Sequence, residues 1–103
     1  MRSCVIPLDE ASARIPGHPA AHAATLLERG KLIVKLSIPG EHIDNQKPHE
    51  QDEIYVVIRG RGVFFHDGQR NEFGPGDLIF VAAGTEHRFE DYSADLAVWV
   101  IFF

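Results

Sequence analysis

The chain has 103 residues and a formal net charge of −5, which predicts one small acidic domain. Its 10 lysines and arginines form no basic run that could neutralise a row of phosphates, so we expect no nucleic-acid partner. No apolar stretch approaches the ~20 residues of a membrane span, no signal-peptide core is present, and the single cysteine, Cys4, excludes an internal disulfide. These features favour a cytoplasmic protein that does not bind membranes.

Residues 1–24 are predicted to form an N-terminal arm. Three prolines and Gly17 interrupt residues 1–20, a composition more typical of an extended segment with turns than of a helix. The alanines within the stretch from Ala20 to Leu27 leave a short helix and a strand equally open there.

Residues 25–103 are predicted to form a β-domain. Short apolar runs recur at regular intervals with glycine-containing turns between them, which is the spacing of an all-β sandwich or barrel. The sequence HDGQ between two of these runs predicts a hairpin, because Asp67 and Gly68 supply the positive φ that a tight turn needs.

Two of the predicted strands are apolar on both faces. Residues 54–58 and 96–103 leave no polar face for water. One face can line the barrel, so a second sheet, the N-terminal arm or another subunit must cover the other. We therefore expect a homodimer.

Ligand-type side chains occur at the start of the first of these strands. Side chains return to the same face of a strand every second residue, so His49, Glu53 and Tyr55 share a face if the strand is unbroken. An imidazole and a carboxylate on one face are two ligands of a divalent metal. We expect the third ligand from a neighbouring strand, where His87 follows a bend.

Two motifs in the chain resemble those of small single-domain cupins. The spacing H-x3-E-x6-G of His49, Glu53 and Gly60 is followed by GDLIFVAAGTEHRFED, and the resemblance covers about residues 32–103. It implies a double-stranded β-helix, the jelly-roll cupin barrel, here with an extended N-terminal arm. It also implies that His49, Glu53 and His87 are metal ligands. Three glycines would hold the turns of the motifs: Gly60, Gly76 and Gly84.

Lys47 stands where the family has its first histidine, two residues before His49. A protonated amine is a poor metal ligand, so the remaining set is two histidines and one carboxylate, the composition that holds non-haem Fe(II). Alternatively, Lys47 turns inward and pairs with Glu53 in place of a metal. Ala82 and Asp91 also depart from the proline and asparagine that are common in the family.

Several other polar residues have both a functional and a structural interpretation. Tyr55 either exchanges a proton or a hydrogen bond with a substrate or fills the core. Gln51 either orients a ligand or is a solvated residue at the strand's start. His66 either belongs to a second site or caps a turn, and His42 either replaces the missing ligand or is solvated.

Two functions follow from these alternatives. In the first, a divalent transition metal (Fe, Mn, Ni or Zn) at the barrel mouth chelates a small polar or carboxylated molecule. Tyr55 and Lys47 are then the candidate catalytic residues of a dioxygenase, lyase or isomerase. In the second, the metal is lost, and a non-catalytic dimer holds a small ligand or has a regulatory role.

Overall fold

The protein is mostly β, as the sequence predicts. The computed structural model describes residues 2–16, 22–40 and 49–103. Within them lie one helix and eight strands: α1 (Leu8–Ala13), β1 (Ala23–Arg29), β2 (Leu32–Ser37), β3 (Glu53–Arg59), β4 (Gly62–His66), β5 (Gln69–Phe73), β6 (Leu78–Val81), β7 (His87–Glu90) and β8 (Ala97–Phe102). Among the described residues, no helix has the length and apolar character that crossing a bilayer requires.

The strands form two antiparallel sheets that face each other. The larger has the order β1-β2-β8-β3-β6 and the smaller the order β5-β4-β7. Their inner faces enclose one apolar cluster of buried side chains: Tyr55, Val57, Phe64, Phe73, Val81, Phe89, Leu96, Val98 and Val100. Members of this cluster on the same strand, such as Tyr55 and Val57 or Val98 and Val100, lie two positions apart, because only every second side chain faces inward.

The hairpin predicted at HDGQ is confirmed. β4 pairs with β5 so that His66 lies opposite Gln69, which leaves a loop of two residues. Asp67 has φ 50° and Gly68 has φ 74°. Positive φ at both central residues is the conformation whose twist matches that of the flanking strands.

The prediction that residues 1–20 form an extended segment with turns rather than a helix is wrong for Leu8–Ala13. Helix α1 begins directly after Pro7, where a proline without an N–H costs no helical hydrogen bond. Its only fully buried residue, Ala11, packs against Leu26 and Leu36 on the outer face of the larger sheet. A helix of six residues depends on such packing, because its own hydrogen bonds are too few to hold it.

The segment that the sequence left open between helix and strand is a strand where it is described. β1 begins at Ala23, two residues before the predicted start of the β-domain at residue 25. Residues 20 and 21 lie outside the described part of the chain.

The outer faces of the two sheets differ in polarity. On the smaller sheet Arg70 and Arg88 each donate a hydrogen bond of 2.8 Å to Glu90, and both guanidinium groups lie over the ring of Phe65. Hydrogen bonds from Arg70 and then Arg88 lower the pKa of Glu90 below its usual value. The outer face of the smaller sheet is therefore charged and suited to contact with solvent, in contrast to the outer face of the larger sheet.

The first-motif glycine, Gly60, occupies a position that no other residue fits. Its φ is 94°, and a Cβ placed there would lie 2.7 Å from the Cα of Leu96. The three motif glycines, Gly60, Gly76 and Gly84, all have positive φ, so their predicted role as turn residues is confirmed.

Gly60→Ala should lower the free energy of unfolding by about 2 kcal/mol or more. The alanine Cβ would clash with the backbone of Leu96, and this cost adds to the usual penalty for a non-glycine residue at positive φ. Gly68→Ala is the matched control, because Gly68 also has positive φ but nothing lies within 4 Å of the place that a Cβ would take there. We expect it to cost only about 1 kcal/mol. Urea denaturation of both variants checks the difference, and equal losses would contradict it.

Candidate metal centre

Three ligand-type side chains meet at one end of the barrel interior. Glu53 is the first residue of β3 and His87 the first residue of β7, and each is only 1% exposed. His49 precedes β3 and its side chain is 37% exposed. The two strands belong to different sheets, so the fold brings together residues that are 34 positions apart, as the numbering of Glu53 and His87 gives.

The three side chains are close enough to share one cation. Nε2 of His87 lies 2.8 Å from Oε1 of Glu53, and Nε2 of His49 lies 3.9 Å from the same oxygen. One ligand atom from each residue lies within 4.8 Å of the other two. Ligands bound at about 2.1 Å to one metal are on the order of 3–4 Å apart, so small side-chain shifts would complete the geometry.

The Glu53 carboxylate is buried without a hydrogen bond from the described residues. Both of its oxygens are buried, and neither accepts a hydrogen bond in the described part of the chain. Although Oε1 lies 2.8 Å from His87, the two groups do not have hydrogen-bond geometry. A buried carboxylate is costly unless it is paired or coordinates a metal, so this site favours a cation.

A hydrogen bond at Nδ1 of His87 leaves Nε2 as the nitrogen that can bind a metal beside Glu53. Nδ1 lies 2.8 Å from the carbonyl oxygen of Thr85. A carbonyl only accepts, so Nδ1 carries the proton and donates it. In the neutral ring Nε2 then presents its lone pair towards Glu53. This is the orientation that a metal-binding histidine adopts when its other nitrogen donates to a carbonyl.

The loop before β7 is tied to the segment that carries His49 and Glu53. The amide of Gly84 donates to the carbonyl of His49, and the amide of Ala83 donates to Oδ1 of Asp52, both at 2.8 Å. The carbonyl of Asp52 in turn accepts from the amide of Phe103 at 3.2 Å. These bonds hold the two ligand-bearing segments in register with each other.

The site differs from the sequence prediction in how His49 reaches it. β3 begins at Glu53, and residues 50 and 51 form a bend, so the strand does not continue back to His49. Gln51 therefore does not share the inner face, and its side-chain amide donates to the carbonyl of Lys31 at 2.7 Å. His49 enters the site from the loop instead of from the strand.

Of the two predicted catalytic residues, Tyr55 is described by the structure and Lys47 is not. Tyr55 faces inward and is buried, with its ring centroid 6.2 Å from that of His87 and 4.9 Å from that of Phe89. It therefore lies beside the ligand set, and its role in catalysis stays a prediction. Lys47 lies outside the described residues, as does His42.

Sequence reasoning missed the aromatic wall beside His49. The ring of Phe102 packs edge-on against the His49 ring at 5.0 Å, and Nζ of Lys35 lies 5.9 Å from the Phe102 ring. The strand register places Phe102 directly opposite Glu53. Alternation along the final strand predicts an inward Phe102, but only the register between β3 and β8 shows that it borders the site.

Comparison with known proteins identifies the architecture. The cupin domain family model matches residues 34–103. An uncharacterized protein of Streptomyces coelicolor is 34% identical over 95 residues, which are 92% of this chain and 90% of that protein. A solved structure of a cupin 2 conserved barrel domain protein from Salinispora arenicola aligns with a TM-score of 0.75 and 17% identity, covering 100% of this chain and 90% of that one.

A relative with a named activity matches only part of this chain. An acireductone dioxygenase of Rhodopseudomonas palustris is 46% identical over 50 residues. The match covers 45% of this chain and 30% of the dioxygenase. The similarity therefore concerns a segment of that enzyme and not its whole length.

Replacing Asp52 by alanine should loosen the tie between the loop before β7 and the His49 segment. The loss of a hydrogen bond to a charged group in a partly exposed position should lower the free energy of unfolding by about 1 kcal/mol. Amide hydrogen exchange at Ala83 and Gly84 should accelerate roughly fivefold or more. Asp95→Ala, an exposed aspartate elsewhere, should leave both amides protected, and unchanged exchange in Asp52→Ala would refute the tie.

Proposed function

The chain belongs to the cupin family, and from this we propose that it binds a divalent transition metal through His49, Glu53 and His87. The observation that carries the proposal is the buried carboxylate of Glu53, whose oxygens accept no hydrogen bond in the described part of the chain. Two histidines and one carboxylate suit iron, manganese, nickel or zinc. Three protein ligands leave coordination positions open for a small molecule.

We propose that this molecule is small and polar or carboxylated, and that the protein is an enzyme of the dioxygenase, lyase or isomerase type. When bound, the metal would polarise a carbonyl group or activate dioxygen or water. The similarity of a 50-residue segment to an acireductone dioxygenase supports this choice. The partly exposed His49 marks the side from which such a molecule would approach, since Glu53 and His87 are fully enclosed.

The protein's own residues would bind and orient this molecule. Phe102 forms an apolar wall beside His49, so the polar end of the substrate would face the ligand set. Tyr55 lies next to His87, where a phenol could exchange a proton with the substrate. Lys47 is proposed as a second proton-transfer partner or as a clamp for an anionic group.

Elemental analysis of the untagged protein should find about one metal ion per chain. Glu53→Gln and His87→Ala should each remove most of it, because each deletes one of three ligands. Glu86→Gln is the matched control, since it removes an exposed carboxylate next to His87 without touching the site.

Two results would contradict the metal proposal. Metal content that is unchanged in both ligand variants would show that the ion is held elsewhere. A wild-type protein that takes up no metal even after incubation with each of the four ions would instead favour a non-catalytic binding or regulatory cupin in which Lys47 pairs with Glu53.

We also infer that the protein is a cytoplasmic homodimer. The outer face of the larger sheet carries a row of apolar side chains from four adjacent strands: Phe80, Ile54, Ile101 and Val34. Helix α1 packs over the neighbouring region around Leu36 and Trp99. At the sheet edge Leu78 is 64% exposed and Phe80 is 54% exposed. An apolar surface of this kind fits a second copy of the chain.

The proposed cytoplasmic location rests on a different feature. The exposed thiol of Cys4 agrees with a reducing compartment.

Light scattering coupled to size-exclusion chromatography should give a mass of about twice 11.5 kDa for the wild type. Phe80→Glu should shift the protein to monomers at micromolar concentration, since it places a charge in the apolar row. Phe65→Glu makes the same change on the outer face of the smaller sheet, opposite Arg70 and Arg88, and should stay dimeric. A wild-type monomer at all concentrations would contradict the dimer.

A further inference from the structure

A second cavity opens between the edges of the two sheets. It has a volume of about 350 Å³ and lies between β5 of the smaller sheet and β6 of the larger. Three inward-facing side chains give it an apolar wall: Phe64, Phe73 and Ile79. None of the three proposed metal ligands lines it. The cavity is therefore distinct from the candidate metal centre.

One side of this cavity carries a fixed polar pair. Nε2 of His66 lies 2.7 Å from Oδ1 of Asn71, and both residues line the cavity. Because an amide oxygen only accepts, Nε2 of His66 donates in this bond. The bond sets the orientation of the Asn71 amide, whose NH2 group can then donate to a ligand. A small number of placed polar groups in a largely apolar cavity is the usual means of orienting a small molecule.

Two acidic residues in the lining restrict the charge of the ligands that the cavity can bind. Glu72 and Asp77 also belong to the lining, and both residues are exposed. They would repel an anion, so a carboxylated or phosphorylated ligand is disfavoured here. This preference is opposite to that proposed for the metal centre, where anionic chelators are favoured.

Aromatic stacking makes the wall suitable for a flat ring. Phe64 stacks on His66 at 5.6 Å with 29° between the ring planes, and lies 6.0 Å from the ring of His87 on another side. It also packs against Phe89 at 5.1 Å. The Phe64 ring is therefore packed against three other rings, and an enclosed apolar cavity of about 150 Å³ already accommodates a benzene-sized molecule.

We propose that this cavity binds an uncharged aromatic molecule that carries one hydroxyl or carbonyl group. The ring packs against Phe64 and Phe73, and the polar group bonds to the His66–Asn71 pair. The site does not depend on the proposed metal, because none of the proposed ligands contributes to it.

The test uses p-cresol and toluene, which differ by one hydroxyl group, on protein treated with EDTA. Titrations followed by saturation-transfer NMR should show that p-cresol binds roughly 2- to 10-fold more tightly than toluene, the range expected for one hydrogen bond. His66→Phe keeps the stacked ring and Asn71→Leu keeps the side-chain volume. Each should abolish the preference for p-cresol while toluene binding persists.

Two further variants locate the binding. Ile79→Phe fills the cavity and should weaken both probes, whereas Gln69→Leu changes a neighbouring polar residue outside the lining and should leave both unchanged. Melting curves confirm that each variant is folded. No saturation transfer to wild-type protein, or an undiminished p-cresol preference in both His66→Phe and Asn71→Leu, would overturn the proposal. Neither result would bear on metal binding, which is measured separately.

Discussion

The contact between Glu53 and His87 is the constraint on which the rest of the site depends. Both groups are buried, their nearest atoms are 2.8 Å apart, and they come from opposite sheets. A carboxylate held there without hydrogen bonds destabilises the fold unless a cation is bound. The barrel therefore places a costly group inside its core, and burial of apolar side chains such as Val57 and Val98 must offset that cost.

The backbone around this contact restricts how the site can relax. His87 is held at Nδ1 by Thr85, and the preceding loop is bonded to His49 and Asp52. The Glu53 backbone is fixed between two neighbouring strands, opposite Phe102 and Val81. Of the three candidate ligands, His49 alone precedes its strand and has a partly exposed side chain, so it is the least enclosed. A cation entering the site would accordingly draw His49 inward towards two ligands that are already in place.

Most of the fold and all three candidate metal ligands could be predicted from the sequence, but the way in which His49 reaches the site could not. Alternation along β3 places Glu53 and Tyr55 inward whatever the partner strands are, and the Asp67-Gly68 turn needs no tertiary information. The path of His49 could not be predicted, because strand ends depend on hydrogen bonds to neighbouring strands. Helix α1 was missed because its stability comes from packing on the larger sheet.

Strand register explains why the sequence could offer His66 as a second-site residue but could not identify Asn71 as its partner. His66 and Asn71 lie on different strands, and the hairpin places their side chains diagonally on the same inner face. The same register sets His66 directly opposite His87 on β7, with Phe64 in contact with both rings. Phe64 therefore packs against a His87 ring whose Nδ1 is held by the carbonyl of Thr85. The proposed cavity and the candidate metal centre thus share one aromatic wall, although none of the three candidate ligands lines the cavity.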